Sequence, residues 1–234
     1  AANLSLALGQ FSVVPYNDQK TGTKKAQYQI SYKGLSQLAT RSGEYKRIKV
    51  RDVREGEYAG IDPLTGDPKF EWMDDDEREG KPLAGIYAFY ILHNGFTNSV
   101  YWSHEKILNH ANRYSQPFKG KKELYEKMNK GLEKRPTNGS PWFDEPLSEG
   151  HLKMCKKTVL KQLFNDGIAP LSIEMQRYMK QDDYAESGQQ VVFADDERIN
   201  AANAEEVIQD VEVNEAEVVD VQAELKSEEQ ISTK

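Results

Sequence analysis

The sequence predicts an α+β fold, in which an antiparallel β-sheet with a hairpin is packed by helices. Apolar and polar residues alternate over residues 26–32, which is the pattern of a half-buried strand. Residues 83–92 are almost continuously apolar and predict a central strand, and the Asn94-Gly95 pair that follows is a strong hairpin signal. Apolar residues at helical spacing lie between and after these strands, so helices are expected to cover the sheet.

The first part of the chain predicts a hairpin followed by a helix. Strands at residues 11–16 and 26–32 flank a polar loop that contains several lysines. After them, Leu35 and Leu38 fall at helical spacing, and Gly43 is a typical helix stop signal. A short amphipathic helix is therefore expected before the next strand begins.

The next predicted strand carries its cations on one face. Ile48 and Val50 point one way, whereas Arg47, Lys49 and Arg51 point the other. A row of three cations on one face of a strand fits a polyanion whose charges repeat at a similar pitch. The row is therefore a candidate contact for the backbone of a nucleic acid.

The middle of the chain predicts further elements of both kinds. Residues 54–82 contain Gly, Pro and an acidic run, and they predict an edge hairpin with a mobile connection. Ser103 is a predicted N-cap for a helix that runs to about Tyr114. The lysine-rich residues 119–135 predict a helical insertion, and residues 172–181 predict a final short helix.

A second cationic element is predicted within residues 142–164, where an amphipathic helix carries lysines. Its apolar stripe consists of Leu152, Cys155, Val159 and Leu163. Its cations are Lys153, Lys157 and Lys161 on a separate face, with Lys156 at the edge of the stripe. We expect this face and the Arg47, Lys49 and Arg51 row to form two walls of one groove. For the helix taken alone, a purely solubilising role stays open.

The formal net charge of -7 conceals a strong asymmetry. From Asp182 onward the chain holds 16 of its 38 acidic residues and 3 of its 31 basic residues, so the preceding part is net positive. We therefore predict a nucleic-acid-binding core at residues 1–181 and an acidic, disordered tail at residues 182–234. Three roles for the tail stay open: it mimics nucleic acid over an empty groove, it tethers a partner, or it only solubilises the chain.

Motifs for catalysis and for cofactors are missing from the sequence. It contains no Walker loop and no Gly-x-Gly-x-x-Gly, which argues against a protein driven by ATP hydrolysis. The four histidines show no metal-ligand spacing and Cys155 is expected in the core, so no metal and no cofactor are predicted. Glu44 and Lys46 match half of a nuclease motif, but no Asp is placed convincingly upstream. The single cysteine and the lack of a long apolar run favour the cytoplasm.

Several motifs that occur in the same order resemble the RecT family of phage single-strand annealing recombinases. They are LGQFSVVPY, QYQISYKGLSQLATRSGEYKRIKV, EGE, DPLTG, GIYAFY, NGF with VYWS, KMCKKTVLKQL and LSIEMQRYMKQDD. The resemblance covers residues 1–183 and includes a strand that ends in Tyr-Lys-Gly, a helix of the form LxxLAxRSG and a basic strand.

The resemblance implies a curved antiparallel sheet and a non-enzymatic protein that anneals complementary DNA strands without ATP. It implies single-stranded DNA and the annealed duplex as ligands, and a homo-oligomer arranged as a ring or a helical filament. A companion exonuclease or the single-stranded-DNA-binding protein of a bacterial host is an expected partner. The helical N-terminal region of the family is expected to be absent from this chain. The alternatives are a single-strand binder without annealing activity and, less favoured, a metal-dependent nuclease.

The candidate DNA-binding residues combine cations with polar and aromatic side chains. The cations are Lys33, Arg41, Lys46, Arg47, Lys49 and Arg51, together with Lys153, Lys156, Lys157 and Lys161. Gln27 and Gln29 are candidates for sugar or minor-groove contacts, and Tyr32 and Trp102 for stacking on bases. Three further aromatic residues, Tyr28, Phe89 and Tyr101, are expected to be buried instead.

Overall fold

Strands and helices alternate along the part of the chain that the computed structural model describes, which is residues 3–17, 22–136 and 139–187. The strands are β1 (Phe11–Asn17), β2 (Lys24–Ile30), β3 (Tyr45–Arg54), β4 (Tyr58–Ile61), β5 (Pro68–Phe70), β6 (Leu83–Leu92) and β7 (Thr97–Ser103). The helices are α1 (Tyr32–Arg41), α2 (Asp75–Arg78), α3 (His104–Tyr114), α4 (Lys122–Asn129), α5 (Glu149–Phe164) and α6 (Ile173–Ser187), with a 3-10 turn at Pro141–Phe143. The predicted α+β class is confirmed.

All the strand pairs are antiparallel within the described residues. The central sheet has the order β3-β6-β7, and β1–β2 and β4–β5 form separate two-stranded hairpins. Strand β6 covers the continuous apolar run, and the chain turns back into β7 at Asn94-Gly95, where Gly95 has a φ of +88°. This left-handed backbone is the reason that glycine suits the turn.

Helices cover one face of the central sheet. On β6 the side chains of Ile86, Ala88 and Tyr90 are fully buried on this face. Helix α5 packs against all three strands and against α1 and α3. Its buried side chains include Cys155 and Val159. Apolar surface removed from water between the helices and the sheet is the main source of stability for such a layered fold.

Serine N-caps start several of these helices. The side chain of Ser31 accepts from Gly34 N, that of Ser103 from Lys106 N and that of Ser148 from His151 N. Each bond satisfies a backbone N–H that has no partner inside the helix. The predicted cap at Ser103 is confirmed, and α3 ends at Tyr114 as expected.

The predicted boundary between core and tail needs a correction at Asp182. Helix α6 does not end at residue 181 but continues to Ser187. Asp182 is 2% exposed, because its carboxylate pairs with two lysines of α5. The remainder of the predicted acidic tail, residues 188–234, lies outside the described residues.

Two other segments contain the elements that the sequence predicts for them, a hairpin within residues 54–82 and a helix within residues 119–135. Residues 54–82 contain the β4–β5 hairpin and α2, and the fully buried side chain of Glu57 anchors them. Glu57 accepts from Arg54 N at 2.7 Å and pairs with Arg78 Nε at 2.9 Å. The lysine-rich insertion contains α4, whose Tyr125 is buried in the core.

None of the described helices is both long enough and apolar enough to cross a bilayer.

Candidate nucleic-acid interface

The cations of β3 lie on the face of the sheet opposite to the helices. A register shift between Tyr45 and Arg47 inserts one extra residue, Lys46, into the strand. Beyond this shift, Arg47, Lys49 and Arg51 pair with Ile91, Phe89 and Tyr87 of β6 respectively. Directly paired residues of antiparallel strands share a face, so cations of β3 lie beside aromatic rings of β6.

Aromatic rings fill the space between these cations. The rings of Tyr87 and Phe89 lie nearly parallel, with centroids 5.5 Å apart, and the Arg47 guanidinium lies 5.8 Å from the centroid of Phe89. The Arg51 guanidinium lies 4.0 Å from the ring centroid of Trp72, within the range of a cation–π contact. Trp72 is 41% exposed, so its ring remains partly open to solvent.

The β4–β5 hairpin extends this aromatic surface. Phe70 stacks on Trp72 at 4.7 Å and contacts Tyr87 at 4.6 Å. Tyr58 stacks on Tyr101 at 4.3 Å. Burial raises the pKa of the Tyr101 hydroxyl, in keeping with its position beneath the hairpin. We call the surface formed by Arg47, Lys49, Arg51, Trp72, Tyr87 and Phe89 the cation–aromatic face.

Lys156 does not belong to the cation–aromatic face. Its ammonium lies 3.1 Å from the carboxylate of Asp52, which also pairs with Arg54 and Arg78 at 3.2 Å. Burial alone would raise the pKa of Asp52, but Lys156 and Arg54 outweigh burial and hold that pKa below its usual range. Lys156 therefore attaches α5 to β3 on the helix-covered side, and we remove it from the candidate DNA contacts.

Lys157 and Lys161 are buried in the interior rather than presented to solvent. The ammonium of Lys157 lies 2.7 Å from one oxygen of Asp182, and that of Lys161 lies 2.8 Å from the other. Lys161 also pairs with Asp183 at 2.7 Å. Because α6 covers this side of α5, Lys157 and Lys161 do not form the exposed face that the sequence predicts, and we do not keep them among the proposed DNA contacts.

The predicted groove with two cationic walls is therefore wrong. Lys153 is the lysine of α5 that stays partly exposed, and it pairs with Glu149 at 2.7 Å. Lys153 and, more weakly, the exposed Lys33 of α1 hold the pKa of Glu149 below its usual range. Both cations act on Glu149, so Lys33 and Lys153 lie near each other at the start of α5.

The remaining candidate residues occupy different parts of the described structure. Arg41 is exposed and donates to the Asn3 carbonyl at 2.6 Å, whereas Lys46 is exposed at the register shift. Trp102 lies on the helix-covered side, where Lys106 Nζ is 4.4 Å from its ring centroid. Tyr32 packs against the core from α1. Neither the Trp102 ring nor the Tyr32 ring lies on the cation–aromatic face.

The β1–β2 hairpin contains the two candidate glutamines and an aromatic residue whose predicted burial is wrong. Gln29 is half-buried, and the side chain of Gln27 lies outside the described part. Tyr28 is not buried as expected but 59% exposed, and its ring centroid lies 5.6 Å from that of Phe11. Phe89 and Tyr101, for which burial is also expected, are only partly buried.

Sequence reasoning missed the residues that complete the cation–aromatic face. Trp72, like the Phe70 ring that stacks on it, lies in the segment for which the sequence predicts an edge hairpin with a mobile connection. Tyr87 lies in the apolar run of β6, where periodicity cannot distinguish the two faces. The available signal was the alternation of Tyr87 and Phe89 with Ile86 and Ala88, which places Tyr87 and Phe89 together on one face of β6.

Comparison with known proteins points to one family. A model of the RecT family matches residues 1–200. The chain is 28% identical to protein RecT of Escherichia coli K12 over 184 residues, which is 76% of this chain and 56% of that protein. It is 35% identical to the uncharacterized protein YqaK of Bacillus subtilis 168 over 121 residues, which is 52% of this chain and 39% of that protein. The chain thus spans about half the length of the curated relatives that it matches.

Proposed function

Because this chain belongs to the RecT family, we propose that it binds single-stranded DNA and anneals it to a complementary strand without ATP, in homologous recombination. The observation that carries the proposal is the cation–aromatic face. It combines a row of cations with partly open aromatic rings on a side of the sheet that no described helix covers. These are the two chemical components of sites that hold single strands without reading their sequence.

Phosphate neutralisation is the role that we assign to Arg47, Lys49 and Arg51. Alternate residues of a strand lie roughly 6.6 Å apart, so the three cations can contact successive phosphates of an extended strand. Such contacts release counterions and carry no sequence information. Binding is therefore expected to be independent of sequence and to weaken steeply with salt.

Base stacking is the role that we assign to Trp72 and Phe89. Arg51 and Phe70 lie against Trp72, and Arg47 and Tyr87 lie against Phe89, so a base would stack on either ring by displacing its guanidinium. Stacking would keep the bases of the bound strand apart from one another and available for pairing. Every base has a π-face, so this contact also tolerates any sequence.

The proposed mechanism is passive. Base pairing between the two strands supplies the free energy, and the protein lowers the barrier by screening the repulsion between their phosphates. In this proposal the protein is not an enzyme and uses no cofactor. Binding the paired intermediate more tightly than either single strand would make annealing effectively one-way.

Assembly and partners also belong to the proposal. We expect subunits to associate along the DNA as a ring or a helical filament and to cooperate with an exonuclease or a host single-stranded-DNA-binding protein. We place the protein in the cytoplasm of a bacterial cell. The division into a DNA-binding core and an acidic tail is retained, with the boundary moved beyond Ser187.

An annealing assay with two complementary labelled oligonucleotides tests the proposed function. The wild-type protein should accelerate pairing without nucleotide, and a variant with Arg47→Ala and Lys49→Ala should lose this acceleration. Binding without acceleration would overturn annealing and leave a simple single-strand binder. Degradation of the strands in Mg²⁺ would instead show a nuclease. Among the described residues, Glu44 belongs to no group of three or more potential metal ligands, which argues against that activity.

A further inference from the structure

Two histidines and the single cysteine of the chain converge in the core. One nitrogen of each imidazole, from His104 and His151, and the sulfur of Cys155 lie within 4.8 Å of one another. His104 is the first residue of α3, directly after β7, whereas His151 and Cys155 are one turn apart on α5. Sequence spacing did not reveal this group, because the fold supplies the third residue from a distant element. The i, i+4 spacing of His151 and Cys155 on one helix face was the part of the signal that was visible.

The hydrogen bond of His151 fixes which of its nitrogens is bare. His151 Nδ1 lies 3.2 Å from the carbonyl oxygen of Trp142, and a carbonyl can only accept, so Nδ1 carries the proton. His151 Nε2 is therefore an unprotonated nitrogen, and it lies 2.9 Å from His104 Nε2. His151 Nε2 accepts from the Nε2–H of His104, so a metal ion would have to replace this hydrogen bond. An imidazole whose far nitrogen donates to a backbone carbonyl while its near nitrogen keeps a lone pair is the usual arrangement of a histidine that binds a metal ion.

Aromatic packing holds the His151 imidazole in place. The ring of Tyr125 stacks on His151 with centroids 5.4 Å apart, and the ring of Trp142 meets His151 edge-on at 5.8 Å. Burial lowers the pKa of both histidines to about 4, so each is neutral at pH 7 and has a lone pair to donate. His151 and Cys155 are fully buried, and His104 is half-buried, so the group borders solvent on the His104 side.

We propose that His104, His151 and Cys155 bind one divalent cation of the zinc class, with a fourth position open to water or another ligand. Two nitrogens and a thiolate are the donors that Zn²⁺ prefers in proteins. Around a tetrahedral zinc ion such donor atoms lie roughly 3.3 to 3.6 Å apart, given Zn–N and Zn–S bonds of about 2.0 and 2.3 Å. The observed separations, from 2.9 Å to at most 4.8 Å, reach that range through shifts of about 1 Å.

Binding of the metal ion would release one proton from the protein. Burial keeps the pKa of the Cys155 thiol well above its usual range, so the thiol enters the reaction protonated. Coordination replaces its S–H bond with a Zn–S bond and releases one proton to solvent. His104 moves its ring proton from Nε2 to Nδ1 and keeps its neutral charge. The bound ion would join the start of α3 to the middle of α5, on the side of the sheet opposite to the cation–aromatic face, so we expect it to stabilise the fold rather than to contact DNA.

Cobalt substitution tests the site in the full chain without any mutation. The metal-free protein is titrated with Co²⁺, and we expect a thiolate-to-cobalt charge-transfer band together with visible d–d bands that saturate at one ion per chain. Because Cys155 is the only cysteine, the charge-transfer band can come from no other residue. Zinc should displace cobalt. At a free Zn²⁺ concentration about 100 times Kd, Tm should rise by about 5 to 10 °C.

Matched variants assign the ligands. Cys155→Ser and His104→Gln should abolish the charge-transfer band, whereas His93→Gln, a change of an exposed histidine in the β6–β7 turn, should leave it intact. Circular dichroism of each variant verifies its fold before titration. A wild-type protein that is folded and yet shows no charge-transfer band with excess Co²⁺ would overturn the proposal. A band that disappears with His93→Gln would do the same.

Discussion

Lys157 Nζ lies 2.7 Å from Asp182 Oδ1, and both side chains are almost completely removed from solvent. The same carboxylate accepts from Lys161 at 2.8 Å through its second oxygen, and Asp183 supplies a further negative charge to Lys161. The positive charges of two lysines on α5 are therefore balanced by the negative charges of two aspartates on α6. This cluster attaches α6 to α5.

Removal of the Asp182 carboxylate should strongly destabilise the fold. Asp182→Ala leaves the buried ammonium groups of Lys157 and Lys161 without the carboxylate that both contact, a change that costs about 3 to 5 kcal/mol in comparable sites. Asp183→Ala is the matched control, because that carboxylate is largely exposed and its loss should cost about 1 kcal/mol or less. Urea unfolding of the three proteins measures both values. Equal free energies of unfolding for the two variants would contradict the assignment.

The same cluster predicts how stability depends on pH. Burial alone would raise the pKa of Asp182, but Lys157 and Lys161 outweigh burial and lower that pKa. Its contribution is therefore fully present above the unfolded-state value of about 4, and it is lost as the pH falls through the lower folded-state pKa. The free energy of unfolding should decrease below about pH 4.

An apolar replacement of the cluster provides the control for this pH dependence. A variant with Lys157→Met, Lys161→Met and Asp182→Leu keeps a similar side-chain volume and removes the titrating group. Its free energy of unfolding should fall less between pH 5 and pH 3 than that of the wild type. Identical pH profiles for the two proteins would assign the acid sensitivity to other carboxylates.

Local patterns were sufficient to predict most strands and helices, because each depends on residues that are near in sequence. The continuous apolar run became β6, alternation placed Arg47, Lys49 and Arg51 on one face, and Ser103 capped α3. Each of these features depends on strand pleat, turn chemistry or capping, which a short window of sequence contains.

Long-range pairing explains why the positions of the α5 lysines could not be predicted. Lysines at i, i+4 spacing on a helix predict a solvent-exposed face unless an acidic partner is known. The acidic partner of Lys157 lies 25 residues away in the sequence. From composition, Asp182 is predicted to be the first residue of an acidic tail. The aromatic half of the cation–aromatic face was hidden for a similar reason, since Trp72 reaches Arg51 only through the β4–β5 hairpin.

Charge reversal on the cation–aromatic face should weaken DNA binding regardless of sequence. Lys49→Glu removes the cation that neutralises one phosphate and adds a repulsion, so its Kd should rise for unrelated single strands alike. The slope of log K against log salt should become shallower by about 0.7 for each phosphate that the variant no longer neutralises. Fluorescence anisotropy with two unrelated oligonucleotides at several salt concentrations measures both effects.

The control for this charge reversal is Lys127→Glu, an exposed lysine of α4 that lies outside the face. It makes the same change in net charge, so its effect reports only the long-range field of the protein. A loss of affinity as large as that of Lys49→Glu would show that overall charge, rather than this face, determines binding. A loss confined to one oligonucleotide would contradict contacts to the DNA backbone.

Tryptophan fluorescence should report directly on base stacking at Trp72. Of the three tryptophans, Trp142 is 2% exposed and Trp102 lies on the helix-covered side, whereas Trp72 is partly open on the cation–aromatic face. Single-stranded DNA should therefore quench the tryptophan fluorescence of the wild-type protein and of the Trp102→Phe variant, but not that of Trp72→Phe.

The same position should determine affinity. Because phenylalanine retains a ring, Trp72→Phe should still bind single-stranded DNA. Trp72→Ala should bind roughly 5- to 150-fold more weakly, as expected for the loss of one stacked base at about 1 to 3 kcal/mol. Quenching that persists in Trp72→Phe would place the DNA elsewhere on the molecule, even if the affinity changes.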